Sequence, residues 1–390
     1  MYRKKLFFLL NSMNVGGVEK SFLSLLTLID PQYYEVHLGL LQIKGGFEKN
    51  IPSWVHIHHI NCYDKFHSIV YDPPRTYIKN MIYSRHWGEA IIHIWLYIHY
   101  KLTKTRFWLY CYFMRNEPMM PDVFDLAIAY AGPSQHIDYY ICEKVRARVK
   151  CGWIHFDISK FGIDYGMTKQ LYKKYSRIFC VSQAAKNIFD KAFPMFKERT
   201  EVFYNVISPT FIQQQANAGD TFSDCFEGKR ILTVGRISNE KGQLEAIDAL
   251  AILLKQNINV KWYFVGDGKY RVICENRAKE LGISEYVEFL GTKINPYPFM
   301  KDCDIYVQPS RHEGFCITLA EARVFGMPIV ATNFTGASEQ LASRSNAFVT
   351  GMSSDEIAKG VIMACEAHRI EDTILSDIPQ TDIKELVGLI

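Results

Sequence analysis

The chain has 390 residues, of which 48% are hydrophobic and 22% charged, so it can bury the cores of two domains of ordinary size. Its formal net charge of +4 argues against a nucleic-acid-binding protein, which would carry a larger basic surface. Ten cysteines occur singly, without a C-x-x-C pair or a His/Cys cluster, which indicates a reducing compartment rather than a disulfide or zinc scaffold. No run of about 18 apolar residues occurs, so no membrane-spanning helix is expected.

The sequence begins with a strand, a glycine-containing loop and a helix. The apolar run 5–10 predicts the strand, and residues 18–29 have apolar side chains at helical spacing. Between them lie Gly16 and Gly17, which let the backbone come close to a ligand. The segment is not a P-loop, because the first glycine of G-x4-G-K-[ST] is absent. It predicts either a ligand-binding loop or a tight strand-to-helix turn.

Strands continue to alternate with helices through most of the first half. The predicted strands are 36–42, 55–60, 125–130, 148–154, 176–182 and 201–205, and a helix is predicted over 184–193. The strand 148–154 ends at His155, and Asp157 follows it. A neutral imidazole can both donate and accept a hydrogen bond, which suits recognition of hydroxyl groups. A histidine at a strand end is also often purely structural.

Residues 65–120 depart from this alternation. They contain two apolar and aromatic segments, 90–100 and 107–114, with three basic residues between them. Helices of this composition can lie at a bilayer surface, and they can equally cover a sheet. Residues 90–114 are therefore predicted either to make a peripheral membrane contact or only to cover the core.

The polar segment 206–229 is rich in Gln, Asn, Asp, Gly and Ser, and it predicts a linker. Beyond it, the strand 230–235 leads to Arg236 and then to Lys241, and a helix is predicted over 243–256. Two fixed cations at a strand end can stabilise negative charge on a bound phosphate or diphosphate. Paired basic residues of this spacing are also common on protein surfaces.

A glycine turn follows the strand 261–265. Gly266 and Gly268 form only part of the dinucleotide fingerprint G-x-G-x-x-G, because position 271 is Arg. The turn is therefore weak evidence for a nucleotide site.

Asp302 and Asp304 imitate the metal-binding D-x-D pattern. They come at the start of the strand 304–308, whereas ligands bind at the ends of parallel strands. We therefore predict neither a metal site nor another cofactor.

The segment 311–321 is the main candidate for a ligand site. It follows the strand 304–308 and leads into a helix over 317–325. The N–H groups of a loop that starts a helix attract phosphate. Carboxylates on the loop and on the helix, Glu313 and Glu321, are good acceptors for sugar hydroxyls. The loop amides that would point at the ligand belong to Gly314, Phe315 and Cys316.

Together these motifs resemble the retaining glycosyltransferases of family 4, which have the GT-B fold. The matching elements are G-G-x-E from Gly16, W-x-H-x-D from Trp153, Y-N at Tyr204, G-R-x4-K-G from Gly235, E-x7-E from Glu313 and G-x-x-E from Gly336. The resemblance covers almost the whole chain and is weakest over 60–120.

The resemblance implies an α/β protein with two Rossmann-like, doubly wound domains that face each other across a cleft. An acceptor-side domain is expected over 1–205, a linker over 206–229 and a domain that binds the nucleotide-sugar over 230–370. Residues 371–390 are expected to be a helical segment that crosses back to the first domain, although Pro379 disfavours one straight helix.

The resemblance also implies roles for single residues. Arg236, Lys241 and the amides 314–316 would hold the donor diphosphate, Glu321 the ribose and Glu313 the sugar ring. His155 would contact the donor sugar, and Asp157 would either orient His155 or approach the acceptor. Gly16 and Gly17 would lie near the donor phosphates, and Gly266 near the nucleotide.

The expected reaction is transfer of a hexosyl or N-acetylhexosaminyl group, with retention, from a nucleotide-sugar to a saccharide acceptor that is lipid-linked. The W-x-H-x-D form suggests envelope or capsular polysaccharide synthesis, in the cytoplasm or at the inner face of the cell membrane. Two alternatives remain: a nucleotide-sugar 2-epimerase of the same fold and a non-catalytic subunit that binds nucleotide-sugars. A nicotinamide oxidoreductase is disfavoured because its full glycine fingerprint is absent.

Overall fold

The computed structural model describes residues 3–43, 45–63, 67, 74–160, 162–370 and 382–390. The chain forms two compact units. The first consists of Met1–Val181, Lys186–Phe203 and Asp382–Ile390, and the second of Ser182–Ala185 and Tyr204–Thr381. In the described part of the chain, no helix combines the length and the apolar character needed to cross a bilayer.

The first unit is built on a parallel sheet. Its strands are Lys4–Leu10 (β1), Tyr34–Leu40 (β2), His56–His59 (β3), Val123–Ala129 (β4), Arg146–Ile154 (β5), Arg177–Cys180 (β6) and Thr200–Val202 (β7). Their order is β3-β2-β1-β4-β5-β6-β7, and every pair is parallel. Residues 6–9 of β1 are fully buried, because helices cover both faces of such a sheet.

The helices of this part of the chain follow the strands. They are Gly17–Leu26 (α1), Pro74–Tyr83 (α2), Trp87–Thr103 (α3), Phe107–Phe113 (α4), Gln135–Lys144 (α5), Tyr165–Leu171 (α6) and Gln183–Ala192 (α7). The first three residues of α7 are grouped with the second unit. The irregular segment 65–120 thus contains α2, α3 and α4.

The second unit has its own parallel sheet. Its strands are Lys229–Val234 (β8), Val260–Val265 (β9), Val287–Gly291 (β10), Ile305–Gln308 (β11), Ile329–Thr332 (β12) and Ala347–Thr350 (β13). Their order is β10-β9-β8-β11-β12-β13. Alternate residues of β11 enter opposite cores: Tyr306 packs with Leu319, whereas Val307 packs with Leu250. The predicted fold, two doubly wound α/β domains, is confirmed for each unit.

The helices of the second unit connect these strands. They are Pro209–Ala216 (α8), Gln243–Lys255 (α9), Arg271–Glu280 (α10), Tyr297–Asp302 (α11), Ile317–Ala322 (α12), Ala337–Leu341 (α13) and Ser354–Glu366 (α14). A 3-10 turn, Arg323–Phe325, continues α12. The last helix, Lys384–Val387 (α15), belongs to the first unit.

Two segments differ from their predicted character. The segment 206–229 contains α8, whose Ile212 and Ala216 are buried in a core of the second unit. The helix predicted over 370–389 is confined to Lys384–Val387 among the described residues, and 371–381, with Pro379, lies outside them.

Each strand order reverses once, and this reversal locates the candidate sites. In the first unit the order changes between β1 and β4, and in the second between β8 and β11. Ligands of open parallel sheets bind beyond the carboxyl ends of the strands at such a switch point. The loops after β8 and β11 are the ones that carry Lys241 and Glu313.

Candidate functional site

The loops after β8 and β11 are held against each other by their backbones. The N–H of Arg311 donates to the carbonyl of Glu240 at 2.8 Å. Gly242 has a φ of 70°, and a Cβ there would lie 1.9 Å from the carbonyl oxygen of Pro309. Only glycine fits this close approach, which fixes the loop carrying Lys241 beside the loop carrying Glu313.

An ion pair joins the two loops. The Nζ atom of Lys241 lies 2.5 Å from Oε1 of Glu313, and the Ser310 hydroxyl donates to the same oxygen at 2.8 Å. Burial alone would lower the pKa of Lys241, but the Glu313 carboxylate outweighs this effect, so the pKa is raised. Lys241 is therefore a fixed, permanently charged cation.

A buried chain of hydrogen bonds supports this pair from below. Gln308, the last residue of β11, donates to the Ser310 hydroxyl at 2.8 Å and accepts from the hydroxyls of Tyr306 at 2.7 Å and Thr318 at 3.2 Å. Because Tyr306, Gln308 and Ser310 are buried and hydrogen-bonded, Ser310 and hence Glu313 have little freedom to move.

Arg236 completes the cationic side of the loop. Its side chain is 71% exposed, and its guanidinium lies 3.1 Å from the carboxylate of Glu240. The charge of Arg236 is close enough to Lys241 to act against the raised pKa of that lysine. The structure thus brings both predicted cations to the end of β8, one rigid and one free to reorient in solvent.

The amides after Glu313 have the geometry of an anion-binding loop. The carbonyl of Gly314 accepts from the Ser182 hydroxyl at 3.3 Å, and that of Phe315 accepts from the Gln340 amide. Cys316 has a φ of 61°, an uncommon value for a residue with a side chain. Within the part of the chain that the structure describes, the N–H groups of residues 314–316 donate to no protein atom.

Glu321 lies in α12 and is almost completely buried. Its Oε1 accepts from the hydroxyl of Tyr297, on α11, at 2.8 Å. Burial raises the pKa of Tyr306, and the nearby charges of Glu321 and Glu313 raise it further. The predicted residues Arg236, Lys241, Glu313, Cys316 and Glu321 are therefore brought together in one unit.

Glu339 has a partner that the sequence did not reveal. Its carboxylate accepts from the N–H groups of Gln183 and Ala184, at the start of α7, and from the Tyr204 hydroxyl at 2.7 Å. An acidic group at a helix N-terminus is favoured by the helix dipole. Glu339 therefore holds together three segments of the second unit.

The turn at Gly266 has a structural explanation. A Cβ at Gly266 would lie 2.0 Å from the carbonyl oxygen of Gly235, and one at Gly268 would lie 2.1 Å from that of Ile237. The glycines let the end of β9 pack on the loop after β8. A role for Gly266 in nucleotide binding stays a prediction.

The first unit carries the other predicted residues. Gly17 begins α1 after Gly16. The hydroxyl of Ser21, on α1, pairs with that of the buried Tyr130 at 2.7 Å, and the Tyr130 ring packs against His155 with centroids 4.8 Å apart. The ends of β1, β4 and β5 are neighbours in the sheet, which brings these loops to one edge.

His155 is neutral at pH 7. Burial lowers its pKa to about 3, and its ring stacks on Trp153. Its Nε2 atom is buried and has no hydrogen-bond partner among the described residues. Asp157 is buried as well and accepts from the N–H and the hydroxyl of Ser159, at 2.9 and 2.6 Å. The roles of both residues toward a ligand stay predictions.

The second unit can therefore perform two kinds of recognition. Arg236, Lys241 and the amides of residues 314–316 suit a phosphate or diphosphate. Glu313 and Glu321 suit hydroxyl groups. The sequence did not indicate Ser310 and Tyr297, whose hydroxyls donate to these carboxylates. The proximity of Ser310 to Glu313 in the sequence is the one signal that could have indicated Ser310.

Comparison with known proteins agrees with this geometry. Residues 226–371 match the family model described as Glycosyl transferases group 1. The chain is 28% identical over 185 residues to the uncharacterized glycosyltransferase MJ1059 of Methanocaldococcus jannaschii, covering 46% of this chain and 45% of that protein. It is 26% identical over 152 residues to the Vi polysaccharide biosynthesis protein VipC/TviE of Salmonella typhi, covering 39% of this chain and 25% of that protein. The chain thus spans about half the length of these relatives or less.

A solved structure extends the comparison to the whole fold. Anabaena Alr3699/HepE in complex with UDP and glucose has a TM-score of 0.64 and 20% identity, covering 99% of this chain and 95% of that one. At this identity the similarity shows the fold alone. The chain has the GT-B fold, and its residues 226–371 match the Glycosyl transferases group 1 model.

Proposed function

We propose that the chain is a glycosyltransferase that moves a sugar from a nucleotide-sugar donor to a saccharide acceptor with retention of anomeric configuration, as in family 4. The observation that carries the proposal is the Lys241–Glu313 pair, which lies next to the amides of residues 314–316 at the switch point between β8 and β11. A rigid cation, open amides and carboxylates at one edge suit a diphosphate flanked by sugars.

The donor diphosphate is assigned to Lys241, Arg236 and the amides of residues 314–316. Lys241 is fixed by Glu313, so it stabilises charge without reorganising. Arg236 is exposed, and its hydrogen-bond partner among the described residues is Glu240, so its fork can turn toward a phosphate. That Anabaena HepE was crystallised with UDP supports a uridine nucleotide as the first donor to test.

The two carboxylates are assigned to hydroxyl groups on either side of the diphosphate. Glu321 binds the ribose and Glu313 the transferred sugar, a hexose or N-acetylhexosamine. His155 is neutral and can accept or donate a hydrogen bond to a sugar hydroxyl. Gly16, Gly17, Gly266 and Asp157 keep the roles that the resemblance gives them.

The proposed step breaks the bond between the anomeric carbon and the leaving phosphate oxygen and forms a bond from that carbon to the acceptor oxygen on the same face. The electron pair of the broken bond stays on the diphosphate, next to Lys241 and Arg236. The acceptor proton passes to a leaving phosphate oxygen. This route needs no covalent nucleophile and no metal from the protein.

The acceptor is proposed to be a growing envelope or capsular saccharide carried on a lipid. The similarity to a Vi polysaccharide biosynthesis protein supports a polysaccharide acceptor. A lipid-linked acceptor requires the enzyme to reach a membrane surface from the cytoplasm, and residues 90–114 are the segment proposed to make that contact.

A thermal-shift screen of nucleoside diphosphates and nucleotide-sugars identifies the donor, since a ligand that binds only the folded protein raises its melting temperature. The donor is then incubated with and without saccharide acceptors, and the anomeric configuration of the product is read by NMR. Transfer with retention supports the proposal, and an inverted product overturns the mechanism.

The same incubation separates the alternatives. A 2-epimerase would convert the donor sugar without any acceptor. A non-catalytic subunit would bind the donor and release no nucleoside diphosphate with any acceptor. A site for a leaving diphosphate serves a transferase and an epimerase alike, so acceptor-dependent release of nucleoside diphosphate is the result that establishes transfer.

A further inference from the structure

Helix α3 carries a stripe of large apolar side chains that are exposed in the described part of the chain. Its members, between 41% and 79% exposed, are Trp87, Ile91, Ile94, Trp95, Ile98 and Leu102. At about 100° per residue these positions fall within an arc of about 100° on one side of the helix. We refer to these six side chains as the α3 stripe.

The opposite side of α3 is the one that packs on the protein. Ala90, His93 and Leu96 are buried there, and the His93 ring stacks on Phe113 of α4 with centroids 4.7 Å apart. Packing against the core of the unit therefore accounts for the apolar residues on one side of the helix. It does not account for the apolar residues of the α3 stripe. A contiguous exposed apolar surface of this size marks an interaction site.

The charge of the protein is concentrated around this helix. Residues 74–117 contain seven Lys and Arg but only two Asp and Glu, a balance of +5, so the rest of the chain has a balance of −1. Exposed basic residues lie at both ends of α3, Arg85 before it and Lys101 and Lys104 at its C-terminus. The stripe is thus bordered by positive charge.

We propose that the α3 stripe docks on a lipid bilayer that contains anionic headgroups, with α3 lying flat on its surface. The apolar stripe enters the boundary between headgroups and acyl chains, where tryptophan side chains are favoured. Lys101, Lys104 and Arg85 then lie at the level of the anionic headgroups. The stripe is about 22 Å long at 1.5 Å per residue, which suits a contact along the surface.

The charges favour this partner over a second copy of the chain. Two copies that paired through their stripes would bring two segments of +5 charge together, and like charges across an interface oppose association. An anionic surface instead attracts the same residues. The charge balance therefore favours an anionic lipid surface over a second copy of the chain.

The docking surface is inferred from the exposure of the α3 stripe and from the positive charge around it. Its use in presenting a lipid-linked acceptor rests on the proposed function. Vesicle binding is measured without turnover, so failure of the docking surface and failure of the transferase proposal are distinguishable.

The test is flotation of the whole chain with vesicles of phosphatidylcholine alone and of phosphatidylcholine mixed with phosphatidylglycerol. The stripe variant carries Ile91→Ser, Trp95→Ser and Leu102→Ser. The matched control removes as many exposed apolar side chains elsewhere, with Val272→Ser, Ile294→Ser and Met363→Ser. A charge variant carries Arg85→Gln, Lys101→Gln and Lys104→Gln.

We expect the wild-type and control proteins to float with the mixed vesicles, and the stripe variant to bind at least about tenfold more weakly. The charge variant should lose the preference for phosphatidylglycerol. The proposal is overturned if the stripe variant floats like the wild type or if the wild type does not float. It is also overturned if light scattering shows a dimer that only the stripe variant dissociates.

Discussion

The Nζ atom of Lys241 and the Oε1 atom of Glu313 lie 2.5 Å apart, although 72 positions separate the two residues in the sequence. The contact exists because β8 and β11 are neighbours in the sheet and Gly242 lets the two loops touch. Each side chain is the charged partner of the other. The pair thus holds a cation and a carboxylate in place for the proposed transfer.

The first prediction concerns this pair. Lys241→Ala and Glu313→Gln should each lower kcat by about two to three orders of magnitude, as the loss of one preorganised group does in other enzymes. The double variant should lose little more than the worse single one, because the two side chains act as a unit. Turnover is measured at saturating donor by release of nucleoside diphosphate.

A matched control is the partly exposed ion pair of Arg277 and Asp248, which lie 2.7 Å apart in the same unit. Arg277→Ala should leave turnover unchanged. Strictly additive losses in the double variant, or near-normal kcat in either single variant, would contradict the assignment.

The second prediction concerns the support of Glu321. Tyr297→Phe removes the hydroxyl that donates to Glu321 Oε1 at 2.8 Å, and the loss of one hydrogen bond, about 1 kcal/mol, corresponds to about fivefold in affinity. We expect that loss of affinity for nucleoside diphosphate, measured by calorimetry, together with a slightly lower melting temperature for the free protein, because the buried Glu321 carboxylate loses one donor.

Tyr286→Phe is the control, because Tyr286 packs against the other core of this unit. If Tyr297→Phe and Tyr286→Phe bind nucleoside diphosphate equally well, Tyr297 has no part in positioning Glu321 for a ligand.

The third prediction separates backbone strain from steric clash at Gly242. Gly242 and Gly282 share a φ of 70°, but only at Gly242 does an added Cβ meet another atom, the Pro309 carbonyl oxygen at 1.9 Å. Gly282→Ala should cost about 1 kcal/mol of unfolding free energy. Gly242→Ala should cost more and should also abolish transfer, because it displaces Lys241.

Urea unfolding of both variants checks the order of these losses. Equal destabilisation would mean that the close approach of the two loops is not needed for stability.

The fourth prediction concerns pH. Asp138 is buried in the first unit, and burial raises its pKa to about 7, although the hydroxyls of Tyr175 and Tyr172 donate to it at 2.7 and 3.3 Å. The folded chain therefore keeps a proton that the unfolded chain loses near pH 4. The free energy of unfolding of the wild-type chain should fall as pH rises from about 4 to about 7 and then level off.

Asp138→Asn has no proton to lose at this position. The stability of the wild type relative to this variant should decline across the same window, measured as urea midpoints at a series of pH values. A constant difference would show that Asp138 titrates alike in the folded and unfolded chains.

Charged residues at predicted strand ends were the part of the site that the sequence revealed. Lys241 and Glu313 stand in short motifs next to apolar runs, and the resemblance to family 4 implied that both serve one donor site. The contacts of Tyr297 and Glu339 were beyond that reasoning, because their partners lie in other segments and no local pattern marks them. The helix α8 was missed for a related reason: its polar composition hides the buried Ile212 and Ala216.

The last prediction concerns Cys316. This residue begins α12 with a φ of 61° and ψ of 78°, a left-handed conformation that disfavours any side chain. Its thiol is buried, close enough to the Lys241 ammonium and the Glu313 carboxylate for the charges to interact, so both packing and backbone strain are affected by a substitution here.

Cys316→Gly and Cys316→Ala both lose the thiol, but only glycine relieves the strain. Cys316→Gly should therefore be more stable than Cys316→Ala by about 1 kcal/mol in urea unfolding, and it should keep transfer activity because the loop amides stay in place. An alanine variant as stable as the glycine variant would show that the left-handed backbone at Cys316 is not strained, and loss of transfer in the glycine variant alone would show that the amides depend on that side chain for their position.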